Sequence, residues 1–184
     1  MYQRTLMGLI LFAAAAAPAI ASHHIEQFQA DFSGFNEVGA LNAQTGAILS
    51  PGHATLELRL DRVNQSLSFV LTYSDLSAPV TQAHIHFGKK HMAGGVMVFF
   101  CSNLASAPAG TQACPASGGT VTGTLNAANV LAIAGQNVTA GDFQALADAL
   151  ESGTAYANIH TTAFPAGEIR GEVRRGFESH HDRG

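Results

Sequence analysis

The sequence has no tryptophan, two lysines and two cysteines among its 184 residues, and only 12% of its residues are charged. So few basic side chains, with a formal net charge of −4, argue against a protein that captures nucleic acid through its phosphates. The hydrophobic fraction of 47% is too high for a disordered chain. No apolar run of the length needed to cross a bilayer follows the first twenty residues. These properties predict one globular domain.

The first 21 residues have the pattern of a secretory signal peptide. Arg4 supplies the positive charge, residues 6–17 form the apolar segment, and Ala19-Ile20-Ala21 is a small-residue cleavage site. A short membrane anchor is the alternative. Cleavage after Ala21 predicts a secreted or periplasmic protein without stable membrane insertion. The mature chain then comprises a β domain at residues 22–175 and a flexible tail at residues 176–184.

Export bears on the two cysteines, Cys101 and Cys114. An even number of cysteines in an oxidising compartment favours a disulfide between them. A pair of thiolate metal ligands is the alternative, although the spacing matches no CxxC pattern. We therefore predict a Cys101–Cys114 disulfide.

Alternating apolar and polar residues predict β-strands through most of the chain. The clearest case is residues 54–60 followed by residues 66–73, which together predict a hairpin. Residues 95–101 are apolar on both faces, which predicts a central strand. Further strands are expected at 25–35, 80–87, 120–125, 154–161 and 168–174. The expected core includes Leu56, Leu58, Leu67, Phe69, Leu71, Val96, Val98 and Phe100.

One segment has helical rather than strand periodicity. Phe143, Leu146, Ala147 and Leu150 have the spacing of an amphipathic helix, with Thr139 as its predicted N-cap. Gly153 stands where a glycine commonly ends a helix. The predicted fold class is therefore mainly β: an antiparallel β-sandwich of about seven or eight strands with one short helix.

Nine histidines are the unusual feature of the composition. His84 and His86 are two residues apart on a predicted strand, so their side chains point to the same face. His160 shares a face of another predicted strand with Tyr156 and Asn158. Three histidines on two strands form the ligand set usual for zinc or copper, provided that the strands are neighbours. The alternative is a structural polar cluster.

Other histidines are weaker candidates. His91, in the glycine-rich turn that follows the predicted strand, is the nearest fourth ligand. Cleavage after Ala21 would place His24 third in the chain, where the amine, two backbone nitrogens and its imidazole can bind Cu(II) or Ni(II) in a plane. A solvated leader is the alternative, and His180-His181 are expected to be a solvated end. Because protons compete for imidazole nitrogen, metal affinity is expected to fall as the pH decreases through and below ~6.5.

No motif indicates a particular catalytic chemistry. The sequence lacks the phosphate-binding loops of nucleotide enzymes and the GxSxG elbow of hydrolases, so a non-enzymatic role is favoured. Glu168 and Arg170 are expected to be structural, as a charged pair that anchors the last strand to a neighbour. A direct role in ligand binding is the alternative.

Several segments resemble the chordin-type (CHRD) domain. The central ones are AHIHFG at residues 83–88 and GVMVFFC at residues 95–101. The segment YANIHT at residues 156–161, followed by FPAGEIRG at residues 164–171, is similar to that domain's closing signature. FNEV at residues 35–38 is similar in placement to its opening. The resemblance covers roughly residues 25–175.

The resemblance implies an extracellular, mostly antiparallel β domain. In animal chordin such domains accompany growth-factor-binding modules, whereas bacterial members are exported proteins without a well-defined activity. The expected function is an exported binding module whose partner is a metal ion, copper or zinc, or an extracellular protein. One alternative is a dismutase-like metalloenzyme, although the chain lacks the bridging-histidine segment and zinc loop of copper/zinc superoxide dismutase. The other is a metal-free structural or adhesive domain.

Overall fold

The structure, a computed structural model, describes residues 24–39 and 46–176. The predicted signal peptide and nearly all of the predicted tail lie outside these residues. Within them the chain forms nine β-strands and one α-helix. The elements are β1 (Ile25–Ser33), β2 (His53–Asp61), β3 (Ser66–Ser74), β4 (Val80–Phe87), β5 (Gly95–Ser102), β6 (Gly119–Asn126), α1 (Phe143–Glu151), β7 (Ala155–Thr161), β8 (Ile169–Glu172) and β9 (Arg174–Arg175).

The strands pair in antiparallel fashion in one continuous sheet. Its order is β5-β4-β7-β8-β1-β2-β3-β6, and β9 pairs with β1. The predicted β2–β3 hairpin is present, with Leu58 opposite Phe69. The alternation read from the sequence sets the inward face, because every second residue of β2 from Ala54 to Leu60 is buried. The predicted mainly antiparallel β fold with one helix is confirmed.

The two ends of this sheet, β5 and β6, approach each other. Phe69 on β3 and Phe100 on β5 pack with ring centroids 4.7 Å apart. The side-chain amide of Gln112 donates to Phe100 O at 3.2 Å and to Thr122 O at 3.1 Å, which links β5 to β6. The sheet therefore wraps around its core as a nearly closed, sandwich-like structure.

The prediction that β5 is a central strand is wrong, because β5 ends the sheet order. Loops rather than another strand cover its outer edge: Leu131 N donates to Met97 O at 2.8 Å and Ser102 N to Gln112 O at 2.9 Å. Val96, predicted as core, is only half-buried, while the other seven predicted core residues are buried. The strands covered on both faces are β7, with every residue buried, and the middle of β4.

Cys101 and Cys114 form the predicted disulfide, with their Cα atoms 5.0 Å apart. It ties the end of β5 to the segment that leads into β6. The Asn103 side chain reinforces the link, since its Oδ1 accepts from Cys114 N and its Nδ2 donates to Cys114 O.

Helix α1 buries the predicted residues against the sheet. Its N-cap is Asp142, whose carboxylate accepts from Ala145 N at 2.9 Å, and not the predicted Thr139. The shift follows from the short polar turn that precedes the helix, in which Asp142 N donates to Thr139 O. Gly153 ends the helix as predicted, with a left-handed φ of 67°. At nine residues α1 falls well short of the length that crosses a membrane, and it is the longest helix within the described ranges.

Candidate metal centre

The candidate site lies on the paired strands β4 and β7. Their register sets Gln82 opposite His160, His84 opposite Asn158 and His86 opposite Tyr156. The two-residue periodicity of each strand then places the three predicted histidines on one face. The structure thus supplies the strand adjacency that the sequence left open.

The three imidazoles form a compact, buried cluster. One ring nitrogen from each of His84, His86 and His160 lies within 4.8 Å of the others. The ring of His84 stands between the other two, 4.6 Å from the centroid of each. The exposed fractions are only 2% for His84, 8% for His86 and 7% for His160. Three imidazole nitrogens gathered in one place are a ligand set that can hold zinc or copper.

Two backbone carbonyls orient two of the rings. Nδ1 of His86 lies 2.8 Å from Gly94 O, and Nδ1 of His160 lies 2.9 Å from Pro165 O. Each carbonyl accepts the single N–H of a neutral imidazole, so Nε2 of both rings keeps its lone pair. A histidine held through one nitrogen in this way presents the other nitrogen to a metal.

Two nitrogens of the cluster have no hydrogen-bond partner within the described chain. They are Nδ1 of His84 and Nε2 of His160, and both are shielded from solvent. In addition, Nε2 of His86 is 3.0 Å from Asn158 Oδ1. Because Gly94 O takes the N–H at Nδ1, Nε2 of His86 is an acceptor, and it pairs with this amide only through Asn158 Nδ2. Buried polar atoms without partners are costly, so this cluster is incomplete as a purely structural network.

Burial keeps these histidines neutral. It lowers the pKa of His84 well below its ordinary value, with the neighbouring His86 and His160 acting in the same direction. Burial likewise lowers the pKa of His86 to about 4 and also lowers that of His160. Neutral imidazole is the form that binds metal. Proton competition is therefore displaced below the pH of ~6.5 expected for a free histidine.

The backbone of the turn must pass close to the end of β4 for the Gly94 carbonyl to reach His86. A Cβ at Gly94 would collide with the carbonyl of Phe87, at the end of the strand that carries His86. A glycine therefore permits the turn to fold back onto β4. The same residue donates its N–H to Tyr156 Oη at 3.0 Å.

A stack of side chains extends from the cluster. The Tyr156 ring lies parallel to that of His86, with centroids 4.6 Å apart, and the Arg170 guanidinium covers the other face of Tyr156 at 3.3 Å. Arg170 is almost fully buried and donates to Met92 O at 3.0 Å and Lys89 O at 3.4 Å. It thereby fixes the turn that carries Gly94. Sequence analysis did not assign this role to Tyr156 or Arg170.

The predicted Glu168–Arg170 pair does not form. Glu168 faces another set of partners, accepting from Ser50 Oγ at 2.6 Å, Thr161 Oγ1 at 2.7 Å and Ser77 N at 2.8 Å. Burial opposes ionisation of Glu168, but these hydrogen bonds outweigh it and lower the pKa of the carboxyl. Both residues anchor the closing segment of the domain, each through different neighbours.

A cavity of about 230 Å³ opens beside the cluster. His86, His160, Tyr156 and Asn158 line it, together with the buried carboxylate of Glu37 from the loop after β1. A bound ion would therefore be within reach of small exogenous ligands. Glu37 was not singled out from the sequence.

Of the weaker histidine candidates, the two that the structure describes, His24 and His91, are not part of this cluster. His91 is exposed in the turn between β4 and β5 and has a positive φ of 61°. His24 is exposed just before β1, and the residues before it in the proposed terminal motif lie outside the described ranges. His180-His181 also lie outside them.

The architecture and the cluster together define a small antiparallel β domain with a buried tri-histidine centre. A family comparison matches the CHRD domain over residues 28–173, which confirms the resemblance seen in the sequence: the chain belongs to the CHRD domain family. No curated protein and no solved structure matches the chain significantly.

Proposed function

We propose that this protein is an exported CHRD-domain module that binds one copper or zinc ion through His84, His86 and His160. The observation that carries the proposal is a pair of buried nitrogens, His84 Nδ1 and His160 Nε2, that lie beside the third imidazole and lack partners among the described residues. Coordination would satisfy both nitrogens at once. A hydrogen-bonded histidine cluster would not be expected to leave them unpaired.

Three considerations support export. The first 21 residues have the composition of a signal peptide, and a disulfide joins Cys101 to Cys114. CHRD domains are typically extracellular.

Copper is favoured over zinc, because nitrogen ligands bind Cu(II) more tightly than Zn(II) in the general affinity order.

Metal binding is best tested on a background that removes competing histidines. We would use the mature chain without an affinity tag and with His23, His24, His180 and His181 changed to alanine. After dialysis against Cu(II) or Zn(II), elemental analysis should give one ion per chain. His84→Ala/His86→Ala in this background should lose the ion, whereas His53→Ala/His91→Ala, a control at two exposed positions, should retain it.

A thermal measurement guards against a variant that merely unfolds. An ion that binds only the folded state raises the melting temperature, and the rise grows with the logarithm of the free ion concentration above its Kd. Zn(II) should raise the melting temperature of the background protein but not that of a folded His160→Gln variant. A background protein that binds no ion near neutral pH, or a double variant that binds as tightly as its parent, would refute the proposal and leave a metal-free structural domain.

The cavity of about 230 Å³ beside the histidines favours one second candidate, a dismutase-like enzyme, because small molecules could reach an ion held by His86 and His160 through it. A superoxide assay on the copper-loaded protein, with free copper chelated, distinguishes it. Activity that disappears in His84→Ala/His86→Ala would establish the enzyme, and its absence in a fully loaded sample would leave a binding module.

A further inference from the structure

Glu37 is a buried carboxylate with an unused oxygen. Only 3% of the surface of Glu37 is exposed to solvent. Oε1 accepts from Val38 N at 2.9 Å and Gly39 N at 3.3 Å. Oε2 is buried and has no partner among the residues that the structure describes. An isolated buried carboxylate oxygen is strongly destabilising, so a donor or cation beyond the described residues is the expected complement.

The carboxylate borders the histidine cavity. Glu37 lines the same space as His86 and His160. A Cβ at Gly167 would collide with Glu37 Oε2 and would stand 3.1 Å from Asn158 Nδ2, which places the carboxylate beside the amide that contacts His86. Gly167 also has a φ of 125°, which side chains rarely adopt. The closing turn thus leaves room for Glu37 at the site.

The charges around the cluster are unbalanced without this residue. All three imidazoles are neutral, and the nearest cation, Arg170, stacks on Tyr156 directly behind His86. A divalent ion bound there would be repelled by the positive charge of that arginine. Burial lowers the pKa of Arg170, and the charge of Glu37 acts against this shift, as it does for His160. Glu37 contributes the one carboxylate among the described residues that line the cavity.

We infer that Glu37 is a further residue of the metal centre, which accepts a hydrogen bond from water on the ion and makes the site selective for divalent over monovalent ions. This inference rests on the proposed function. Glu37 is not among the residues whose ligand atoms cluster within 4.8 Å, so the inferred role of its carboxylate is to act through water and not as a direct ligand. A carboxylate in such a position also orients the bound water and stabilises its protons.

The test is a comparison of ions on the mature chain with His23, His24, His180 and His181 changed to alanine. Glu37→Gln keeps an oxygen for Val38 N and Gly39 N but removes the charge. We expect its affinity for Zn(II) and Cu(II) to fall about 10–100-fold, the usual effect of losing such a partner. Its affinity for Cu(I), measured with a competing chelator under reducing agent too weak to open the disulfide, should stay within about threefold. Glu57→Gln, at an exposed carboxylate on β2, is the matched control and should change neither value.

Each other result has a definite meaning. Equal loss of Cu(I) and divalent affinity would show that Glu37 only supports the fold, and unchanged divalent affinity would show that it lies outside the site. Either result overturns the inference while the histidine site stands. If the parent binds no ion at all, the proposed function fails first. Glu37→Asp provides the second variant: it retains the charge and should bind Zn(II) more tightly than Glu37→Gln, and a weaker or equal affinity also contradicts the inference.

Discussion

The guanidinium of Arg170 lies 3.3 Å from the centre of the Tyr156 ring, whose opposite face stacks on His86. The arginine has no carboxylate partner in an ion pair among the described residues. Instead, it bonds the carbonyls of Met92 and Lys89. A cation buried in this way connects β8 to the turn that orients His86.

This relationship predicts that Arg170 stabilises the fold through shape as well as charge. Arg170→Met retains much of the buried volume but leaves two carbonyls without donors, so we expect a loss of about 2–4 kcal/mol in the free energy of unfolding. Arg170→Lys should also destabilise, because an ammonium cannot stack as a planar guanidinium does. Urea denaturation measures both. An unchanged stability together with abolished metal binding would instead make Arg170 a binding residue.

The neutral histidines predict acid sensitivity of the metal-free protein. In the unfolded chain they take up protons near pH ~6.5, whereas burial lowers the folded-state pKa of His84 and His160 and brings that of His86 to about 4. The unfolded state therefore binds more protons between these limits, and stability falls as pH decreases through ~6.5. Each histidine contributes a slope of up to about 1.4 kcal/mol per pH unit.

Denaturation in the presence of a chelator, at pH values from 7 to 5, measures this slope. His84→Phe/His86→Phe should flatten it, since phenylalanine fits the same stacked positions without titrating. The lowered pKa of Glu168 adds a loss of its own, but only below about pH 4.5, where that carboxylate takes up protons in the unfolded chain. A parent protein with constant stability from pH 6.5 to 5 would contradict the buried neutral cluster.

The disulfide predicts a second stability difference. Cys101 and Cys114 are 13 residues apart in sequence, and opening the bond frees that loop in the unfolded chain. Cys101→Ser/Cys114→Ser should cost about 2–4 kcal/mol. Titration of the unreduced, denatured protein should find no free thiol at these positions, and two titratable thiols would show that the bond does not form.

Core truncation should distinguish the interior from the half-covered edge. Leu58→Ala and Phe69→Ala remove side chains that are 1% and 3% exposed, and each should cost about 2–5 kcal/mol. Val96→Ala, at a half-buried position on β5, should cost less than either. Similar losses at all three positions, measured by urea denaturation, would mean that β5 is buried as deeply as the hairpin.

The strands were predictable because alternation records which side chains face the core. Leu56, Leu58, Phe69 and Leu71 follow that rule and are buried as expected. The position of β5 in the sheet was not predictable in the same way. A strand that is apolar on both faces must be covered on both. Its sequence does not show, however, whether each of its edges pairs with another strand or with a loop.

The same limit applies to the candidate site. The spacing of His84 and His86 was sufficient to place them on one face, but only the pairing of β4 with β7 brings His160 to them. Glu37 and Gly94 reach the cluster from loops, whose paths depend on contacts distant in sequence. The prediction that Tyr156, Asn158 and His160 share one face already included Asn158, although not its contact with His86.

The amide that joins β5 to β6 has a consequence for any protein partner. Strand ends of a sheet ordinarily offer unpaired backbone groups to which an extended peptide can add. Here Gln112 occupies carbonyls of both end strands, and the loop residues Leu131 and Gln112 bond the outer edge of β5. A peptide that extended the sheet would first have to displace Gln112. Recognition of a macromolecule by this domain is therefore expected to use its loops and side-chain surfaces, leaving the backbone ladder intact.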